Sequence, residues 1–349
     1  MTGRADKTMR AAVIEGPAQL HVREVARAVP GPDQVLVHIE YCGVCGTDLH
    51  NVLEGWAPPG SVSGHEWSGR VVEIGPGVSG WAIGDRVVGG PPWCRRCTWC
   101  LAGRPALCVA DPVRCATPGH SGAFAEFHVS SAQALHRVPD GLDVRTAALA
   151  EPLAVALHAV TTAQRLPTVT HERTLVSGAG PLGLLLVAAL RASGVAGITV
   201  VEPAAARRTQ ALLAGASDAV APNDLPEVPA LPTQCCPDGF DLAFETSGRS
   251  AAITAAIGLL RPAGRAILLG TGAMSTPVDP IRVLFNELIV SGAYCYDDGG
   301  IDDALALLAS GNLPVASLVS SDDVSLDQLL DTMLALRSGE LPTKVLVRP

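Results

Sequence analysis

Apolar residues recur two positions apart through the first part of the chain, and this pattern gives way to alternating strand-like and helix-like stretches after residue 147. Met9-Arg10-Ala11-Ala12-Val13-Ile14 runs into a turn at Gly16-Pro17, and Val35-Leu36-Val37-His38-Ile39-Glu40 takes up the alternation after Pro30-Gly31-Pro32. Residues 69–75, 84–88 and 122–129 are further short β-runs between Gly- and Pro-containing turns, the composition of a small antiparallel barrel. Residues 147–160 read as a helix around Pro152. Beyond them, 174–177, 198–202, 241–245, 266–270 and 288–294 are expected strands, with helices at 184–192 and 250–260 between them. Helices near 301–310 and 326–338 and a last strand at 344–347 complete the pattern. The Pro-rich run from 222 to 237 reads as a surface connection.

The chain has 349 residues, enough for two domains around sizeable cores. With 48% apolar and 17% charged residues it is of globular composition. A formal charge of -9 repels polyanions, so nucleic acid and acidic membrane surfaces are poor partners and small metabolites remain. Met1-Thr2-Gly3-Arg4-Ala5-Asp6-Lys7 has no signal-peptide apolar core behind it, and no stretch reaches a charge-free membrane-spanning length. A cytoplasmic location is expected, where ten cysteines point to metal ligation before disulfides.

Two cysteine-bearing segments carry the chemistry. Cys45-Gly46-Thr47-Asp48-Leu49-His50 and Gly64-His65-Glu66 bring a thiolate, an imidazole and a carboxylate from short segments, donors that suit zinc. Three protein ligands leave a position open for a substrate oxygen. Cys42 and Cys45 also form a Cys-x-x-Cys pair, whose redox reading lacks an accompanying thioredoxin-like pattern. Cys94, Cys97, Cys100 and Cys108 lie within fifteen positions and can close a Cys₄ tetrahedron, a structural site; a disulfide framework is the competing reading. Cys115, Cys235, Cys236 and Cys295 receive no role.

The run Gly178-Ala179-Gly180-Pro181-Leu182-Gly183 follows a strand and opens a helix, with Glu202 ending the next strand. That context is what a dinucleotide fingerprint requires: glycines for the turn, the pyrophosphate approach and the helix packing, and an acid for the ribose hydroxyls. Glu202 would oppose a 2′-phosphate, favouring NAD over NADP. Arg207 is placed either to stack on adenine or to contact such a phosphate. Glu151, an acid among apolar residues, needs a partner: a metal or a helix N-terminus.

These motifs, together with Gly84-Asp85-Arg86-Val87 and Glu151-Pro152-Leu153, resemble the zinc-containing medium-chain alcohol and polyol dehydrogenases, over residues 9–349. The resemblance implies an α/β protein: a GroES-like β-rich catalytic domain (1–152, with a structural zinc lobe at 91–110), a Rossmann doubly wound parallel-sheet domain (153–293), a return to the catalytic domain (294–349), and a cleft between the domains. It implies a catalytic zinc on Cys45, His65 and Glu66, with Glu151 as fourth ligand, exchangeable ligand or neighbour. The alcohol-dehydrogenase branch has a cysteine at the position of Glu151, and the sorbitol and threonine dehydrogenase-like branch an acid. The family's cofactor contacts fall on Gly178, Gly180, Leu182, Gly183, Glu202, Arg207, Leu269, Gly270, Thr271 and Tyr294.

The expected reaction is oxidation of a secondary alcohol, on a polyol, sugar-like or aminocyclitol substrate, by reversible hydride transfer to NAD+. Thr47 and His50 would dispose of the hydroxyl proton, and Asp48 would orient His65. Trp56 and Trp93 either shape the pocket or simply pack. Two zinc ions per chain and a homodimer or homotetramer are expected. Competing readings are a reductase of aldehydes or ketones using NADH or NADPH, and a zinc-stabilised dinucleotide-binding protein without turnover.

Overall fold

The computed structural model describes residues 8–110, 122–166, 173–272 and 275–349, so Cys115 lies outside the described residues. The chain divides into two units. The first comprises Met1–Glu151, Asp297–Gly311 and Ser320–Pro349, and the second Pro152–Tyr296 and Asn312–Val319. Asn312–Val319 thus groups with the second unit, whereas the sequence expectation carried the whole of 294–349 back to the first. The short helix Val315–Leu318 within it packs on helices Pro181–Ala192 and Ala205–Ala214.

The first unit is built on a sheet in the order Val324–Ser325, Leu346–Arg348, Gln34–Gly43, Glu66–Ile74, Arg86–Gly89 and Leu135–Arg137, with Phe127–Ser131 also paired to Gln34–Gly43. A separate two-stranded ribbon joins Thr8–Gly16 to Gln19–Ala26. Alternation sets the faces: Val35, Val37 and Ile39 are buried, and His38 points outward. The same core takes Leu329, Met333 and Leu336 from helix Leu329–Ser338, spaced four and three apart along one helical face.

The register of three strands places the chemistry. Gly43 lies opposite Glu66 on one side and Leu346 on the other. A Cβ at Gly43 would collide with the Glu66 carboxylate, so only glycine allows that side chain to fold back over the strand.

The second unit holds a six-stranded sheet in the order Asp218–Val220, Ile198–Val201, Thr174–Ser177, Phe240–Glu245, Leu260–Leu268 and Ile289–Gly292, all parallel. In chain order this is 3-2-1-4-5-6, the dinucleotide-binding arrangement, and its order reverses between Thr174–Ser177 and Phe240–Glu245. Helix Pro181–Ala192 is buried over Gly183 to Leu190, as a helix covering a parallel sheet should be.

The Pro-rich run is fastened rather than loose. The buried Arg282 guanidinium donates to the carbonyls of Pro229 (2.6 Å) and Gln234 (3.1 Å), and Asn286 Nδ2 donates to that of Pro232 (3.3 Å). Among the described residues no helix is long and apolar enough to cross a membrane.

Candidate active site

Cys45 stands in extended conformation at the start of helix Gly46–Leu53. Asp48, fully buried one turn in, accepts a hydrogen bond from the Cys45 amide (2.9 Å) through Oδ2, and from Ser63 Oγ (2.6 Å) and the Gly64 amide (3.1 Å) through Oδ1. Burial works against its charge, but His65, Ser63 and the Cys45 amide hold its carboxyl below the ordinary range. One side chain therefore ties the 45–48 turn to the 63–65 segment. His65 Nδ1 lies 3.6 Å from Asp48 Oδ1, which leaves the other ring nitrogen for a cation.

Cys45, His65 and Glu66 each offer a ligand atom, and the three atoms lie within 4.8 Å of one another. Sulfur, nitrogen and oxygen at that separation fit zinc. Glu151 is outside this trio, in the first turn of helix Ala150–Gln164. Burial pushes its carboxyl up to about 7, with Glu66 and Asp48 adding to the rise and His65 and Lys344 opposing it.

Glu66 is not a lone acid. Lys344 Nζ donates to both of its carboxylate oxygens (2.7 and 2.6 Å) and to the Val44 carbonyl (3.0 Å). The two side chains are 2% and 1% accessible. Burial would pull the Lys344 ammonium down, but Glu66 and Cys45 hold it above the ordinary lysine range. The pair joins residues 278 positions apart. Lysine in a β-run carries no spacing signal, and this partner escaped the sequence reading for that reason.

Thr47 is half-buried on helix Gly46–Leu53. His50, on the same helix, has its Nδ1 2.8 Å from Glu54 Oε2 and its ring stacked on Trp56, centroids 4.4 Å apart and planes 13° apart. Cys42, by contrast, is buried in the core beneath Gly64, and burial pushes its thiol well above the ordinary range. It stays a protonated apolar filler, not half of a dithiol.

The second cluster is Cys94, Cys97, Cys100 and Cys108, whose sulfurs also lie within 4.8 Å of one another. Four sulfurs about 2.3 Å from a zinc ion would stand about 3.8 Å apart in a tetrahedron; Cys94 Sγ and Cys100 Sγ are 3.8 Å apart. The Cys97 amide points at Cys94 Sγ (3.4 Å). Backbone hydrogen bonds from Cys100 and Val109 lower the Cys97 thiol to about 6. Among the described residues these two groups are the candidate metal centres.

In the second unit the glycine loop meets its expected demands one by one. Gly178 has a φ of +99°, and a Cβ there would crowd Thr246 Oγ1 at 2.9 Å. A Cβ at Gly183 would strike the Gly178 carbonyl, whereas one at Gly180 would meet nothing within 4 Å, leaving an open approach to the helix N-terminus. Glu202 accepts from the amides of Ala179 and Ala204 (both 3.0 Å) and so sits against the loop. Arg207 and Leu182 are half-buried, Leu269 and Gly270 directly follow the strand Leu260–Leu268, and Thr271 and Tyr294 are exposed. Glu245, which the sequence reading left without a function, accepts from the amides of Ser247 (2.9 Å) and Gly248 (3.0 Å) and thereby shapes the neighbouring turn.

Residues 31–140 match the alcohol dehydrogenase GroES-like domain, and residues 181–310 match the zinc-binding dehydrogenase domain. L-threonine 3-dehydrogenase of Streptomyces coelicolor is 35% identical, over 86% of this chain and 88% of that protein. Sorbitol dehydrogenase of Bacillus subtilis is 30% identical over 100% and 99%. The chain belongs to the zinc-containing medium-chain alcohol and polyol dehydrogenase family. A solved zinc-binding dehydrogenase from Sinorhizobium meliloti 1021, bound to NADP, superposes with a TM-score of 0.83 at 31% identity, covering 98% of this chain and 99% of that one. Like other medium-chain dehydrogenases, the protein is a zinc-dependent enzyme of hydride transfer with a nicotinamide dinucleotide, and it combines a GroES-like with a Rossmann domain. Within this dehydrogenase family it carries an acid, Glu151, among its candidate site residues.

Proposed function

We propose that the enzyme oxidises a secondary alcohol of a polyol, sugar-like or aminocyclitol substrate with NAD+, reversibly, and that Cys45, His65 and Glu66 hold its catalytic zinc. The observation that carries this reading is the convergence of those three ligand atoms within 4.8 Å. A zinc ion held there supplies Lewis acidity towards the substrate hydroxyl. Asp48 fixes the His65 ring, Lys344 compensates Glu66, and Glu151 is an exchangeable fourth donor or a proton-bearing neighbour. Thr47 and His50 take the hydroxyl proton. Cys94, Cys97, Cys100 and Cys108 hold a structural zinc.

Gly178, Gly180, Leu182, Gly183, Glu202, Arg207, Leu269, Gly270, Thr271 and Tyr294 receive the dinucleotide. Glu202 favours NAD because its carboxylate opposes a 2′-phosphate. Glu202→Ala should raise KM for NAD+ about tenfold or more and narrow the preference over NADP+, read from steady-state kinetics with both. Unchanged cofactor kinetics would remove Glu202 from the site. A cytoplasmic homodimer or homotetramer accords with this reading.

The name of the Bacillus subtilis relative favours polyols, and that of the Streptomyces coelicolor relative an amino alcohol. NAD+ reduction by zinc-replete protein, screened over sorbitol, xylitol, myo-inositol, L-threonine and 2,3-butanediol, is expected to favour a polyol or cyclitol. Turnover confined to L-threonine would overturn the substrate class.

A further inference from the structure

We propose that Arg95 and Arg104, projecting from the four-cysteine lobe, clamp Asp298 and Asp297 where the chain returns to the first unit, so that metal retention by the lobe and order in residues 297–303 support each other. This rests on the reading of Cys94, Cys97, Cys100 and Cys108 as a zinc site.

Each half of the clamp begins among the sulfurs. Arg95 lies between Cys94 and Cys97 with a φ of +54°, a left-handed conformation that a long side chain adopts at a cost. The cysteines hold it there. Its backbone amide hydrogen-bonds the Cys100 thiol, and the amides of Arg96 and Cys97 hydrogen-bond that of Cys94. From this fixed backbone the Arg95 guanidinium reaches Asp298 and pairs with it across 203 positions of chain. Arg104 stands directly before the short turn Pro105–Leu107 that delivers Cys108. Its amide donates to the carbonyl of Trp99 (2.9 Å), between Cys97 and Cys100, and its Nε donates to Asp297 Oδ2 (3.4 Å).

The two acids sit at a junction. Residues 152–296 belong to the second unit, and Asp297 is the first residue of the return. The Asp297 carbonyl accepts from the Gly300 amide (3.1 Å), Gly299 reverses the chain with a φ of +84°, and its carbonyl accepts from the Asp303 amide (2.9 Å) as helix Gly300–Ala309 begins. That helix buries Ile301, Ala304, Leu305 and Leu308. Its apolar face seats the helix, and the arginines take the acids ahead of it. Without a cation nothing gathers the four sulfurs, so the backbone of Arg95 relaxes and its grip on Asp298 goes with it. Two equilibria that share these contacts must shift each other by the same factor.

Asp297→Asn combined with Asp298→Asn changes no residue of the lobe and keeps both side-chain sizes. Zinc-replete, full-length protein is mixed with an excess of the chromogenic chelator 4-(2-pyridylazo)resorcinol, and the release phase missing from Cys97→Ser protein is the lobe's. That phase should run about three- to tenfold faster in the double variant, the scale of two partly exposed ion pairs, while the other phase stays put. Sodium chloride at about 0.5 M should speed the lobe's phase in the unaltered protein and add little in the double variant, because the pairs it screens are already gone. Reciprocally, the Gly300 and Asp303 amides should exchange hydrogen severalfold faster in Cys97→Ser, with helix Leu329–Ser338 unchanged. A lobe phase unmoved by the two asparagines, an equal acceleration of both phases, or unchanged exchange at Gly300 and Asp303 would overturn the clamp. If Cys97→Ser kept the full zinc content, the zinc reading would fall and the clamp with it; an unmoved phase beside the expected loss of zinc would sink the clamp alone.

Discussion

Cys45→Ser should abolish turnover, by on the order of a thousandfold or more, while zinc content falls from two ions per chain to one. Serine keeps the size of the side chain but replaces a thiolate by a hydroxyl that stays protonated at neutral pH, leaving one imidazole and one lysine-paired carboxylate as the donor set. The loss of rate follows from losing the charge stabilisation that a metal offers to an oxygen during reaction. Fold and dinucleotide binding should persist, because Cys45 is half-buried at a helix start and the glycine loop belongs to the other unit. Metal analysis, circular dichroism and NAD+ titration check these separately. Normal activity, or two zinc ions retained at full affinity, would remove Cys45 from the metal site.

Lys344→Met should destabilise the first unit by about 3–5 kcal/mol, since it strands a carboxylate that is 1% accessible without its counter-charge. The cost lies in the unpaired survivor more than in the lost bond. Glu66→Leu combined with Lys344→Met should therefore recover most of the stability while remaining inactive. Guanidinium unfolding of the two variants, each against the unaltered protein, makes the comparison. A single variant within about 1 kcal/mol of the original would mean that water or another cation reaches Glu66.

The sequence was most readable where the physics is local. The glycine loop could be placed because Gly178, Gly180 and Gly183 each answer a different short-range demand, and the cysteine lobe because fifteen positions contain its whole donor set. The strand Asp218–Val220 was missed. It has three residues, none fully buried, at the edge of its sheet, so no apolar run marks it. The helix end at Gly215, with a φ of +114°, was the available signal. The ribbon strand Gln19–Ala26 falls within the β-rich first part of the chain but could not be delimited there: only Leu20 in it is buried, so its alternation is faint. Ranges shifted by small amounts elsewhere: the helix expected at 147–160 is Ala150–Gln164, preceded by the short turn Val144–Ala147, and the last strand is Leu346–Arg348.

The long-range partners were illegible for a different reason. Glu54 and Arg337, and Glu66 and Lys344, are joined only once strands and helices far apart in the chain have packed, and nothing in the spacing of either member names the other. Sequence reasoning reached the donors that share a motif and stopped short of the charges that hold them.

The ion pair between positions 66 and 344 also sets an order of events on the ribosome. The carboxylate is synthesised early, and its ammonium follows 278 residues later, after every strand of the six-stranded parallel sheet has been made. Until then the nascent first unit lacks the lysine that neutralises Glu66, so this ion pair can form only after the nucleotide-binding half has been synthesised.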